Sequence, residues 1–267
     1  MSPIIFPLVF SFVFGAIVGS FLNVVALRFN TGKGLGGRSM CMSCGKTLTW
    51  SELIPIASFV FQRGACRKCR SKISWQYPLV EFAAGAIFTL IFLRFPPISA
   101  MSAIPTVIYL VATCLLVAIA AYDAKHKIIP DKFVYAFDAV ALASVFLGGI
   151  SWLHAPHLMT LLAGPAIALP FALLWLVSKG TWMGLGDAKL ALGIGWLLGM
   201  NGGVNAVILA FWLGAAVSIA WLLIVVRHFN RRMEIPFGPY LIVGMYLVLI
   251  FGLKVLDVHT LAALFQV

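Results

Sequence analysis

Apolar residues come in long unbroken runs in this chain, not in alternation with polar ones. The runs fall at 4–27, 79–94, 103–121, 132–149, 158–178, 188–200, 204–226 and 239–262. About 17–25 consecutive apolar residues, coiled as a helix, match the hydrocarbon thickness of a bilayer. Backbone groups in lipid must be satisfied internally, so only helices and closed barrels can span it. Barrel strands alternate in polarity, and these runs do not. The pattern therefore predicts an all-α, polytopic membrane protein of about eight transmembrane helices. The runs 79–94 and 188–200 are short. The first run has no basic residues ahead of it and no small-residue cleavage site, so it reads as a retained helix and not a removed signal peptide.

One polar segment is long, the stretch 28–77. A structureless loop of that length is rare in a compact protein, so it reads as a small folded module. The predicted division is 1–78, the first helix plus this module, and 79–267, a multi-helix membrane domain.

Composition adds weight to the membrane reading. The chain is 62% hydrophobic and 10% charged, with a mean hydropathy of +1.05. That excludes an ordinary soluble domain and makes each charge informative. Nineteen Lys and Arg oppose eight Asp and Glu. Seventeen of the nineteen basic residues fall in loops of one predicted side or at their flanks: nine in 28–77, then Lys125, Lys127 and Lys132, then Lys179 and Lys189, then Arg227, Arg231 and Arg232. Basic loops stay in the cytoplasm, which places both termini outside. Topology and attraction to anionic membrane lipids account for this charge, and no nucleic-acid partner is needed.

The polar segment holds "CMSC" at 41–44 and "CRKC" at 66–69, two C-x2-C knuckles separated by 21 residues. Four thiolates so spaced can surround a zinc ion at about 2.3 Å each. On the cytoplasmic side a metal site is favoured over disulfides. Cys41, Cys44, Cys66 and Cys69 are thus candidate ligands of a structural zinc, with no open position left for catalysis. Cys114 stands alone in an apolar run and reads as core. "GKGLGG" (32–37) matches a dinucleotide fingerprint in letters only, because no strand precedes it and no helix follows.

Among the acidic residues, Asp131 in "IIPD" sits where a helix should start and is expected to cap it. Asp138 lies inside the fourth run. Asp123 in "AYDAKHKIIPD" and Asp187 in "GLGDAKL" both fall at cytoplasmic ends of spans. An ionisable group at the membrane is a functional candidate. Two such groups at one depth on one face could meet. Neighbouring carboxylates share a proton, which supplies an acid and a base from identical side chains. That chemistry suits activation of water against a peptide carbonyl. Gly184 and Gly186 would let a substrate backbone approach Asp187. Other hydrolytic patterns are absent from the sequence: there is no His-Glu-x-x-His and no Gly-x-Ser-x-Gly. The rival reading is a proton- or ion-coupled transporter with Asp123 and Asp187 as a relay, which would place them near the midplane instead of at span ends.

In order along the chain stand "GSFLNVVALR" (19–28), the two knuckles around "IP" (54–55), "YPLVE" (77–81), "DAKHKIIPD" (123–131), "GLGDAKL" (184–190) and "PFGPYL" (236–241). Together they resemble the type IV prepilin peptidases, G-x-G-D intramembrane aspartyl proteases that also act as N-methyltransferases in pilus, secretion and competence systems. The resemblance implies that Asp123 and Asp187 are the catalytic pair. It implies cleavage of a short basic leader from prepilin or pseudopilin precursors at the cytoplasmic face of the prokaryotic inner membrane. It further implies methylation of the new terminal amine, usually of phenylalanine, with S-adenosylmethionine as methyl donor. Met42 departs from the proline that many members carry between the first cysteines. The methyl-donor site has no recognisable motif; Glu52, Glu81 and the "YPLVE" stretch are the candidates.

Overall fold

The computed structural model describes residues 5–32, 34, 36–147, 158–224 and 236–257. Lys33, Arg227, Arg231, Arg232 and Glu234 lie outside the described residues, as do the ends of several predicted runs. The described residues are helical, with isolated bridges and no strand. The helices are α1 (Ile5–Arg28), α2 (Ala57–Phe61), α3 (Gln76–Arg94), α4 (Ala100–His126), α5 (Asp131–Leu147), α6 (Leu158–Ser178), α7 (Leu185–Ile224) and α8 (Gly238–Phe251). Five of them, α1, α3, α4, α6 and α7, are long and apolar enough to cross a membrane.

The chain divides into two compact units, Met1–Pro96 and Pro97–Val267. The sequence had grouped 79–94 with the second part. In the structure α3 packs along α1 and belongs to the first unit. The two helices run antiparallel in a fixed register. Ser11 Oγ donates to Thr89 Oγ1 at 3.4 Å, and Asn23 Nδ2 donates to the Tyr77 carbonyl at 3.3 Å. Between them a Cβ built on Gly15 would lie 2.8 Å from Ala84 O, and one on Gly19 would lie 2.8 Å from Ala84 Cβ. Small residues four apart thus let the backbones touch, which is how helices associate where lipid is as apolar as leucine. The large side chains Phe6, Phe10 and Phe14 point outward.

Between α1 and α3 the polar segment folds around its cysteines. Each knuckle closes with the same bonds: Cys41 N–H donates to Lys46 O and Gly45 N–H to Cys41 O, while Cys66 N–H donates to Ser71 O and Arg70 N–H to Cys66 O. A bridge flanks each, Met40 with Thr47 and Ala65 with Lys72. Gly45 and Arg70 take the left-handed conformation that the turn requires, at φ of 66° and 59°.

In the second unit α7 contains a reversal at Gly199, whose φ of 71° and ψ of 179° no other helical residue shares. A Cβ built on Gly203 would lie 3.4 Å from Gly195 Cα. Eight residues of straight helix would separate them by about 12 Å, so the two arms, 185–198 and 200–224, fold back on each other. The predicted runs 188–200 and 204–226 correspond to these arms, joined without a loop. The last predicted run, 239–262, is shorter as a helix. Gly252 (φ 64°) ends α8, with its N–H on Val248 O, and Asn205 then receives the Val255 and Leu256 N–H groups on its Oδ1. Residues 258–262 of that run lie outside the described residues. Tyr246 of α8 donates to Thr113 of α4 at 2.9 Å in the buried core. Trp196 of α7 donates to Leu161 O of α6 at 2.9 Å. Tyr246 is a buried polar group given a partner, as a core of apolar helices demands, and Trp196 finds one at the edge of that core.

Candidate active site and metal centre

Both candidate aspartates belong to the second unit and both are buried: Asp123 is 3% exposed and Asp187 is 9% exposed. Asp123 sits in the last turn of α4. That helix ends when Lys127 turns left-handed (φ 55°) and donates its N–H to Asp123 O at 2.7 Å. The chain then runs through Ile128, Ile129 and Pro130 into α5. Asp187 sits in the first turn of α7, its N–H on Gly184 O at 3.2 Å. The helix N-terminus favours an acidic residue there.

A chain of close contacts joins the two. A Cβ built on Gly238, the first residue of α8, would lie 2.6 Å from Asp123 Oδ2 and 3.3 Å from Ile129 Cδ1. One built on Gly186 would lie 2.8 Å from Ile129 Cβ. Ile129 is therefore wedged between the start of α8 and the start of α7, with one aspartate beside each. The carboxylates act on each other electrostatically. Asp123 Oδ2 is buried without a hydrogen-bond partner. An unsatisfied carboxylate oxygen in a protein interior is costly, so it calls for an explanation, of which a role in chemistry is one.

The sequence proposed Gly184 and Gly186 together as room for substrate. The structure divides them. Gly184 is exposed and non-helical, and a Cβ on it would be 3.7 Å from Asp187 Oδ2. Gly186 is taken up by packing on Ile129. Asp131, expected to cap α5, is instead its first residue, and its Oδ1 accepts from Lys189 Nζ at 2.7 Å. Lys189 also lies over the Tyr135 ring, 4.8 Å from its centre. Sequence reasoning missed Gly238, although "PFGPYL" was noticed, because a contact made by the absence of a side chain leaves no local mark. It also gave Asp138 no surroundings. This residue is 7% exposed, and its Oδ1, without a hydrogen-bond partner, packs against Gly193 of α7.

The four cysteines of the first unit converge, their ligand atoms all within 4.8 Å of one another. Cys41 and Cys69 sulfurs are 3.8 Å apart, too far for a disulfide. A tetrahedron with arms of about 2.3 Å has edges of about 3.8 Å, so the cluster fits zinc. Backbone N–H groups of Cys44 and Ser43 pull the Cys41 thiol down to about 6, and Ser71 lowers Cys69. Cys44 moves to about 11: the Lys46 N–H favours its thiolate, but desolvation and the neighbouring sulfurs outweigh it. A bound cation would relieve that repulsion. Beside the knuckles Glu52 accepts from Lys46 Nζ at 2.9 and 3.1 Å and from the Thr49 N–H and hydroxyl at 3.0 Å each. The Thr49 N–H and then Lys46 hold its carboxyl down at about 2. Glu52 is thus engaged in building the module, through three bonds on Oε2 and one on Oε1.

Residues 13–95 match the bacterial peptidase A24 N-terminal domain, and residues 110–219 match the type IV leader peptidase family. The chain is 30% identical to the prepilin leader peptidase/N-methyltransferase of Aeromonas hydrophila, over 80% of this chain and 72% of that protein. The chain belongs to the type IV leader peptidase family. Proteins of the same description are 29% identical in Bacillus subtilis (strain 168), over 94% of this chain and 96% of the relative, and 31% identical in Burkholderia pseudomallei (strain 1026b), over 89% and 83%. No solved structure matches the chain. The two family matches fall one within each compact unit. Membership and the five apolar spans make this a multi-pass inner-membrane peptidase of a family that acts on type IV prepilin precursors.

Proposed function

We propose that the chain cleaves the leader from type IV prepilin or pseudopilin precursors with Asp123 and Asp187, and then N-methylates the new terminal residue. The observation that carries this reading is the burial of two carboxylates, from the end of α4 and the start of α7, around a shared contact at Ile129. Two neighbouring carboxylates hold one proton between them. The ionised one takes a proton from water as it attacks the scissile carbonyl. The protonated one donates to the carbonyl oxygen; as the tetrahedral intermediate collapses, the first passes the proton it took from water to the leaving amine, and the second recovers its own from the hydroxyl that becomes the new carbonyl. Gly184, open beside Asp187, is where the extended substrate backbone passes. Gly238 brings the α8 backbone against Asp123 and fixes the carboxylate that has no other partner.

Cys41, Cys44, Cys66 and Cys69 would hold one zinc ion, which supplies folding energy to the 28–77 module. With four protein ligands it takes no part in either reaction. The segregated basic residues favour a cytoplasmic active face and termini outside. The methyl group comes from S-adenosylmethionine, a reading supported by the name that the relatives carry.

The test is to mix the purified full chain with a prepilin-like precursor and S-adenosylmethionine and read product masses. A mature chain carrying one added methyl, and a free leader, are expected. An intact precursor under conditions where a relative cuts it would defeat the proposal.

A further inference from the structure

Three stretches noticed in the sequence remain without a role in zinc binding or peptide cleavage: "GSFLN" (19–23), "IP" (54–55) and "YPLVE" (77–81). In the first unit they meet around one side chain. Glu81 of α3 is 6% exposed. Its Oε2 accepts from the Ile56 N–H at 2.7 Å, and Ser20 of α1 is within hydrogen-bond reach. Gly19 brings α1 to its backbone, since a Cβ built there would lie 3.1 Å from Glu81 Cα. Ile56 takes φ 62° and ψ −53°, the centre of a tight γ-turn in which Ala57 N–H donates to Pro55 O, a conformation that a β-branched residue adopts only under constraint. One helical turn along the same face, Asn23 is 0% exposed. Its Nδ2 must face the Tyr77 carbonyl, an acceptor, so the amide orientation is fixed. Its Oδ1 is left buried with no partner.

The set consists of a buried carboxylate and a buried amide oxygen, and among the described residues no cationic side chain pairs with Glu81. Glu81 by itself could be explained as an anchor for the strained Ile56 turn. Asn23 Oδ1 has no such explanation, because a buried acceptor without a donor only destabilises. What is missing is a group that carries charge and N–H donors together. A sulfonium has the charge and no donors. A primary ammonium has both, and a peptide's terminal amine, ordinarily titrating near 7.7–8.0, is largely in that form at neutral pH. We propose that Glu81 and Asn23 form the binding site for a primary ammonium, the freed N-terminal amine of the cleaved product. The site lies at the loop end of the α1–α3 pair. This rests on the methylation reading above and adds the residues that hold the acceptor amine.

The experiment measures binding of a pre-cut peptide with a free amino terminus, and of its N-acetylated twin, to the detergent-solubilised full chain with no methyl donor present. Charge-assisted hydrogen bonds predict that the free amine binds about 10–100-fold tighter. In Glu81→Gln the amide can still accept from Ile56 N–H, but the preference should shrink to within about threefold. Zinc content and precursor cleavage, which do not use Glu81, should stay at the unsubstituted level and report folding. Should that variant fail these checks, Asn23→Leu carries the same measurement, with a reduced preference expected. A parallel arm titrates S-adenosylmethionine. If its affinity falls in Glu81→Gln while the peptide preference persists, the ammonium bound is the methyl donor's own. A full preference in both variants, with donor affinity unchanged, overturns the site. A preference in the unsubstituted protein without any methylation of the peptide leaves the site standing and removes the methyltransferase reading instead.

Discussion

Glu52 and Asp123 are both buried acids in loops or helix ends, and they are opposites. Glu52 in the zinc module is surrounded by donors: Lys46 reaches both oxygens, and Thr49 supplies two more bonds. Asp123 in the membrane unit has an oxygen with none, and its neighbours at that point are a glycine and an isoleucine. The first carboxylate spends its bonds holding a fold together. The second keeps an oxygen free. Burial alone does not separate structural from reactive acids in this protein; donor count divides Glu52 from Asp123, and a second carboxylate nearby divides Asp123 from Asp138, whose Oδ1 also has no partner.

The strongest way to break that contrast is to neutralise the aspartate pair. Asp123→Asn and Asp187→Asn each keep size and remove a titrating group. General acid–base roles are worth about 10²–10⁴-fold, and loss of the water-activating pair should reach or exceed the upper end. Because the pair acts as a unit, either single change should cost nearly as much as both. Methylation of a pre-cut peptide, which needs no activated water, should survive. Near-normal cleavage by either variant would mean that the reacting groups are not this pair.

On the other side of the contrast, Cys41→Ser should abolish stoichiometric zinc and open 28–77 to protease, since metal binding there is folding free energy of about 10 kcal/mol or more. One zinc per chain in elemental analysis is the expectation for the unsubstituted protein. A variant that loses zinc with unchanged protease protection would show that the knuckles fold by their own backbone bonds.

Gly238→Ala sharpens the comparison by geometry. A methyl 2.6 Å from Asp123 Oδ2 must displace the carboxylate or the start of α8. Misplacement of a reacting group by about 1 Å can cost on the order of 10²-fold. Cleavage should therefore fall about 10–100-fold while zinc content and peptide methylation hold. Unchanged cleavage would mean that Asp123 does not act from this position.

How much of this was legible beforehand follows from what each feature depends on. The spans and the knuckles were readable because each is written locally, in run length and in C-x2-C spacing. The α6 run, 158–178, coincides with its helix. The early end of α8 was not readable, because Leu and Val continue past Gly252, and the chain after that glycine is held out of the helix by Asn205 from a distant arm. The Ile129 wedge was hidden for the same reason: it needs Gly186 and Gly238, over fifty residues apart in sequence, to face one side chain. Asp131 was misread as a cap because "IIPD" looks like a helix start whether or not a lysine waits across the groove. Glu52 and Glu81 could not be ranked from sequence, since the difference lies in their donors.

Glu52 offers a test by pH. Its carboxyl is held at about 2, well below the ordinary 4.5, so its contribution is complete above about 4.5 and is lost as pH falls toward 2. Glu52→Gln should make the 28–77 module about two- to fivefold more easily nicked at neutral pH, the scale of a modest ion pair. That gap should narrow as pH falls below 4.5. Thiolate protonation weakens zinc binding in both proteins, so the difference between them is the quantity to follow. A gap that widens on acidification would mean the carboxylate is not the stabilising form.

The smallest effect belongs to Asp131→Asn, and it is the control for the first prediction. Asp131 lies eight residues after Asp123 and, like it, beside the start of α7, yet its side chain is 61% exposed and paired with Lys189. An exposed pair is worth at most about 1 kcal/mol, and asparagine keeps an oxygen for Lys189 to donate to. Tyr135 still supports the lysine from below. Cleavage should stay within about threefold of the unsubstituted rate. If Asp131→Asn instead fell as far as Asp123→Asn, donor count would have failed as the criterion. The reacting pair would then have to be sought between Asp131 and Asp187 across the Lys189 contact, and the buried, partnerless oxygen of Asp123 would need a different explanation.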